Sequence, residues 1–148
     1  MGLLSGKKGL IMGVANERSI AWGIAKSCSS QGAKLAFTYQ GEALKKRIIP
    51  LAESVGSNLT LECDVADQSA IKETFTKIKD EWNNIDFLVH AIGFSDKNEL
   101  RGRYVDTSKQ NFLSTMDISV YSLTAVTQEA EKIMPQGGSI LTLTYYGS

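Results

Sequence analysis

The strongest constraint on this fold is an alternation of short apolar runs with longer stretches of helical periodicity along 148 residues. Five runs, at 9–12, 34–38, 59–63, 87–92 and 139–144, read as strands. The first, second and fourth are nearly continuous in apolar residues, as strands covered on both faces are. Between them, Ile20, Ile24 and Cys28 step by four beside Ala21 and Ala25, and Leu44, Ile48, Leu51 and Val55 step by four, three and four. Ile71, Phe75, Ile78 and Trp82 repeat that spacing after Asp67, which is placed to cap the helix. Phe112, Met116, Leu123, Val126 and Ala130 predict one longer helix over about 108–134, stopped by Pro135 and Gly137-Gly138. Pro50 falls inside the second helical pattern and is expected to bend it or shift its boundary. Strand and helix thus alternate as in right-handed βαβ units, which predicts a single α/β domain with a doubly wound parallel sheet.

Composition narrows the partners. Lys plus Arg and Asp plus Glu both total 16, so the chain has no basic excess with which to neutralise phosphates, and nucleic acid is not expected as a partner. No apolar run approaches the roughly 18 to 20 residues of a membrane span, and no membrane association is expected. The N-terminal Met-Gly-Leu-Leu-Ser-Gly carries no signal-peptide stretch, and it misses the myristoylation pattern because position 6 is Gly6. Cys28 and Cys63 are too few for a disulfide framework and suit a reducing compartment, so a cytoplasmic location is expected. Without export, the Asn58-Leu59-Thr60 sequon has no meaning. No His/Cys cluster has metal-ligand spacing, and no G-x-S-x-G elbow is present, so nucleophilic hydrolysis is disfavoured.

Ligands of open α/β sheets lie outside the carboxyl ends of the strands, so those ends hold the candidate site. The first strand runs into Gly13-Val14-Ala15, followed by Ser19-Ile20-Ala21 and Gly23. Gly13 permits a tight turn, Gly23 permits close helix–sheet packing, and Ser19 is placed to cap a helix whose amides face a pyrophosphate. The spacing is not G-x-G-x-x-G, and an ordinary β–α turn with two glycines is the alternative. The second strand ends at Gln40, where NAD sites often carry an acid; Lys45, Lys46 and Arg47 nearby fit either a 2′-phosphate or a solvated helix face. At the third strand end, Asp64 is placed to accept from an adenine amino group while Val65 packs on the ring, or else Asp64 only begins a turn. The fourth strand ends in Ala91-Ile92-Gly93, small enough for a ribose to approach, and a structureless stretch follows to Thr107. His90, the single histidine, reads as a hydrogen-bonded core residue. The fifth strand ends in 144–148, where Tyr145 and Tyr146 can offer a hydroxyl to a reacting oxygen or serve as aromatic cover.

In this order and spacing, these segments resemble the NADH-dependent enoyl-acyl-carrier-protein reductases of bacterial type II fatty-acid synthesis. That family is a divergent branch of the short-chain dehydrogenase/reductases. The matching segments include Gly13-Val14-Ala15, residues 35–40, Cys63-Asp64-Val65, residues 90–94, Asp117-Ile118-Ser119 and residues 141–145. The resemblance implies a Rossmann-like sheet with NADH held by Gly13, Ser19, Ile20, Gln40, Asp64, Val65 and Ile92, with Ala91 and Gly93 at the ribose approach. It places Ser95 in the acyl-substrate region and makes Tyr145 the first of two active-site tyrosines, lining the acyl pocket. The implied reaction is hydride transfer from NADH to the β-carbon of a trans-2-enoyl thioester on acyl carrier protein, the last reductive step of elongation, in a homotetramer. The family's second tyrosine and its lysine, spaced Tyr-x6-Lys, lie beyond Ser148. The expectation is therefore an N-terminal part, residues 1–148 of a dinucleotide-binding domain with its first five strands and without the later ones, inactive alone. Rival readings are a non-catalytic nucleotide-binding module, a flavodoxin-like or receiver-like domain, and a ketoacyl reductase of the same fold.

Overall fold

Five parallel strands lie in the order β3-β2-β1-β4-β5 in the computed structural model, which describes residues 2–146. They are β1 (Lys8–Met12), β2 (Lys34–Tyr39), β3 (Leu59–Glu62), β4 (Phe87–His90) and β5 (Ser139–Thr142). Every pairing is parallel, with Leu10 opposite both Ala36 and Leu88. The order decides between two of the readings above. A flavodoxin-like or receiver-like sheet places its third strand beside its first; here β4 takes that place and β3 sits at the outer edge, which is the Rossmann order. The strand order reverses between β1 and β4, so the switch-point crevice opens there.

Two layers of helices cover the sheet, and alternation along each strand feeds both. Leu10 and Met12 of β1, Ala36 of β2 and Leu88 of β4 pack toward α3 (Gln68–Trp82) and α5 (Ser122–Ala130). Ile11, Leu35, Phe37 and Val89 pack the other way, toward α1 (Ile20–Ser30) and α2 (Gly41–Ser54). Because both faces are buried, the strands carry the continuous apolar runs seen in the sequence. Asp67 caps α3 as expected, its carboxylate accepting from the Ser69 amide at 2.8 Å.

Three local expectations are corrected. The last two strands end two residues earlier than read, at His90 and Thr142, because His90↔Thr142 is the last pair of the β4–β5 ladder. Pro50 lies inside α2, with Ile48 and Ala52 on either side fully buried. Gly23 faces open space, with nothing within 4 Å of a Cβ added there; α1 approaches the sheet through buried Ala21 and Ala25 instead. The long helix is interrupted. α4 (Lys109–Met116) passes through a π-helical turn (Asp117–Tyr121) into α5, and a short 3-10 turn (Glu131–Ile133) ends the run. The π-helical turn shifts which side faces inward: Val126 and Ala130 are buried, whereas Phe112 and Met116 are 46% and 42% exposed.

His90 links three elements. Its Nε2 lies 2.7 Å from Ser122 Oγ on α5, and its Nδ1 lies 3.1 Å from Thr142 Oγ1 on β5. Ser122 Oγ donates its one proton to Ile118 O at 2.6 Å, so Nε2 must carry the imidazole proton and Nδ1 accepts from Thr142. This is the core role read from the sequence, and it needs the neutral ring. Burial lowers the His90 pKa below the ordinary 6.5, against a smaller opposing effect of its own backbone hydrogen bond. The unfolded chain therefore takes up a proton first as pH falls. The contribution of His90 to stability is complete above about pH 6.5 and is lost as pH drops through the lower folded value. As His90 is the single histidine, urea midpoints between pH 8 and 5 should fall in the parent protein and stay flat across that window in His90→Gln, from a lower starting value at pH 8.

Candidate functional site

The carboxyl ends of β1 to β4 enclose a crevice of about 420 Å³, within the range of small-molecule and cofactor sites. Seven of the residues singled out from sequence line it: Gly13, Gln40, Asp64, Val65, Ala91, Ile92 and Gly93. Gly13 makes the opening possible. Its φ is +104°, and a Cβ there would sit 1.9 Å from Ala91 O, so the turn after β1 presses directly on the end of β4. Pairing continues one step past the strand, with Ala91 N donating to Met12 O at 3.0 Å.

One end of the crevice is polar. Gln40 Nε2 donates to Asp64 Oδ2 at 3.1 Å, and Asp64 Oδ1 accepts from Ala66 N at 2.9 Å. Asp64 thus begins a turn and also lines the crevice. Each carboxylate oxygen retains capacity to accept another donor, and Gln40 keeps its amide oxygen for hydroxyl donors. Lys45 pairs with Glu42 at 3.0 Å, and Lys46 and Arg47 point outward on α2, which is the solvated-face reading. Cys63 lies in the crevice wall, where burial pushes its thiol up despite a hydrogen bond to Thr74, so it serves as packing and not as a nucleophile.

Ser19 does something other than what was expected of it. Its Oγ accepts from the amides of Ala15 (2.9 Å) and Asn16 (3.1 Å), closing the loop behind itself, and makes no side-chain cap on α1. The first amides of α1 stay uncapped, with Ile20, 68% exposed, at the helix start. Neither Ser19 nor Ile20 lines the crevice; Ser19 acts on it through Ala15, which does. Ser95 lines an adjoining cavity of about 470 Å³ and bonds to Asn111 and Thr115. Tyr145, three residues past β5, is 97% exposed and is not brought to the crevice. Gly147 and Ser148, read with the fifth strand's end, lie outside the described residues.

Other contributors were given no site role from the sequence, although Asp117-Ile118-Ser119 is among the segments that carry the resemblance. Ile118, in the π-helical turn, closes one side of the crevice, and Ser119 Oγ both accepts from Phe94 N and donates to Phe94 O, each at 3.0 Å. Asn111, only 8% exposed, accepts from Asp96 N at 3.0 Å. The polar residues at 111, 115, 119 and 122 step by four, four and three, which is the signal that would have found them.

The donors, acceptors and small-residue walls fit a dinucleotide: a carboxylate–amide pair for the adenosine end, uncapped helix amides for a pyrophosphate, and Ala91 to Gly93 for a ribose. Among the described residues, no His, Cys, Asp or Glu cluster could hold a metal, and no helix is long and apolar enough to cross a membrane. The contact at Gly13 yields a direct comparison. Gly41 also has positive φ (+76°), but with open space around it. Gly41→Ala should cost about 1 kcal/mol, while Gly13→Ala adds the clash with Ala91 and should cost on the order of 3 kcal/mol or more by chemical denaturation. Equal losses at the two glycines would mean that the β1–β4 contact is looser than this.

Residues 13–148 match a family model described as enoyl-(acyl carrier protein) reductase. The chain is 59% identical over 147 residues to enoyl-acyl-carrier-protein reductase (NADH) 1 of Rhizobium meliloti, covering 99% of this chain and 54% of that one. It is 56% identical over 146 residues to the NADH-dependent FabI of Rickettsia typhi, covering 99% and 56%. Among solved structures, FabI from Candidatus Liberibacter asiaticus superposes with a TM-score of 0.97 at 53% identity, covering 99% of this chain and 57% of that one. The Anaplasma phagocytophilum reductase in complex with NAD superposes with a TM-score of 0.94 at 56% identity, covering 98% and 55%. The chain therefore spans about half the length of the curated relatives it matches. With a matched region that takes in the crevice from Gly13 onward, the chain belongs to the enoyl-acyl-carrier-protein reductase family.

Proposed function

We propose that these residues form the dinucleotide-binding part of an NADH-dependent reductase acting on trans-2-enoyl thioesters of acyl carrier protein. The observation that carries this reading is the crevice at the β1–β4 switch point, where the seven singled-out residues converge. Gln40 and Asp64 hold the adenosine end, Ser19 shapes the loop that leaves the first α1 amides for the pyrophosphate, and Ala91, Ile92 and Gly93 admit the nicotinamide ribose. When bound, NADH supplies the hydride for the β-carbon of the substrate. Negative charge then develops on the thioester oxygen, and it is relieved by protonation at the α-carbon.

Tyr145, at the same carboxyl edge as the crevice, is assigned a secondary role at the acyl pocket, and Ser95 a place beside the acyl chain. The sheet is read as continuing past β5, whose four residues are all exposed, in a complete enzyme that is active where this part alone is not. A cytoplasmic homotetramer is the assembly we infer. Its support is the apolar outer side of the long helix, where Phe112, Leu113, Met116, Val120 and Tyr121 are all exposed. No nucleic-acid or membrane partner belongs to the reading, in keeping with balanced charge.

The test uses the full-length enzyme bearing these residues. It should oxidise NADH with a trans-2-enoyl thioester and not with a 3-ketoacyl thioester. Gln40→Ala should raise the NADH KM about five- to tenfold, the scale of one hydrogen bond, with little change in the thioester KM. NADH binding by fluorescence without turnover would favour a non-catalytic nucleotide-binding module. No NADH binding at all would overturn the reading outright.

A further inference from the structure

The segment leaving β4 is tied to the long helix by a polar seam that runs antiparallel to it. Asn111 Oδ1 accepts from Asp96 N at 3.0 Å, and Asn111 Nδ2 donates to Ser95 Oγ at 3.2 Å. One turn later, Thr115 Oγ1 donates to Ser95 Oγ at 2.9 Å. Ser119 Oγ then takes both the N–H and the C=O of Phe94. Eight α-helical residues would drift about 80° around the helix axis, and the wider π-helical turn at Asp117–Tyr121 offsets part of that drift, so Ser119 still faces the same segment as Asn111.

This seam has little apolar help. Phe94 is 54% exposed, and farther along the same loop Leu100, Tyr104 and Val105 are 69%, 80% and 68% exposed. The placement of residues 94–96 therefore rests on the side-chain hydrogen bonds of Asn111, Thr115 and Ser119. These three residues of the loop have a particular place in the molecule. Gly93 and Phe94 wall the cofactor crevice, and Ser95 lines the adjoining cavity of about 470 Å³, so a single short segment separates the two spaces.

We propose that Asn111 and Ser119 are positioning residues for the acyl thioester, acting through Phe94, Ser95 and Asp96. The inference rests on the reductase reading above. By holding this partition, they set where the thioester lies relative to the cofactor, without touching either. Loss of a tie lets the partition move on the substrate side, while the Gln40–Asp64 end of the crevice, across the sheet, keeps its geometry.

The test is steady-state kinetics and NADH fluorescence titration on the full-length enzyme, with Asn111→Ala, Ser119→Ala and Ser119→Thr, the last keeping the hydroxyl. Asn111→Ala and Ser119→Ala should each raise the KM for the enoyl thioester about tenfold, with kcat within about threefold and the NADH Kd within about twofold of the parent. Ser119→Thr should bring the thioester KM back to within about twofold. An unchanged thioester KM in an active enzyme overturns the inference alone. A parallel loss of NADH affinity also overturns it, since the seam would then be supporting the crevice or the fold as a whole. A parent enzyme that reduces no enoyl thioester overturns this inference and the reductase reading together.

Discussion

The contact between the turn after β1 and the end of β4 governs the rest of the carboxyl edge. Strands in this order diverge at β1 and β4, and a ligand crevice forms only if the backbone there turns away sharply while the two strand ends stay paired. Gly13 meets both demands, with positive φ and its Cα hydrogens against Ala91 O. From that point the loop doubles back, and Ser19 Oγ collects the amides of Ala15 and Asn16. The helix α1 then starts with no side-chain cap on its first amides. Had Ser19 capped the helix, those first amides would be partly spent and the Ala15–Asn16 loop would lack its tie.

Most of the fold was legible in the sequence because it follows from burial. β1, β2 and β4 are covered on both sides, so their residues are apolar without alternation, and the spacing between them leaves room only for helical crossovers. The seven crevice residues were legible for a related reason: each sits within three residues of a strand's carboxyl end, and strand ends are where an α/β sheet binds. The hydrogen-bond partners of Ser19 were not legible, because a serine before a helix has amides on both sides within reach and the sequence does not choose between them.

The misreading of α4 has a single physical reason. Apolar periodicity assigns the inward face to Phe112 and Met116, but the inward face carries Asn111 and Thr115, with Asn111 only 8% exposed. A helix packed on a sheet must present apolar residues to it; a helix packed on an irregular loop meets unpaired backbone amides and carbonyls, which need polar partners. The stretch from Gly93 to Thr107 is such a loop, and α4 is the element that satisfies part of it. Where the helix returns to the sheet, as α5, the ordinary pattern resumes with Ala125, Val126 and Ala130 buried. The π-helical turn between them is where one requirement gives way to the other.

This division also separates the molecule by how firmly its parts are held. The strand ends that carry Gly13, Asp64 and Ala91 are continuous with two apolar cores, so opening them means exposing residues such as Leu10, Phe37 and Leu88, which are essentially inaccessible to solvent. Residues 94–96 hang instead on a few hydrogen bonds, each of modest net strength because water competes for the same groups. Local opening is cheapest where buried apolar contacts are fewest. The Gln40–Asp64 end of the crevice is thus built on the sheet, and the side beyond Phe94 on side-chain hydrogen bonds to the long helix. Under the reductase reading proposed above, such a division suits one ligand that is the same in every turnover and another that enters, reacts and leaves while attached to a carrier.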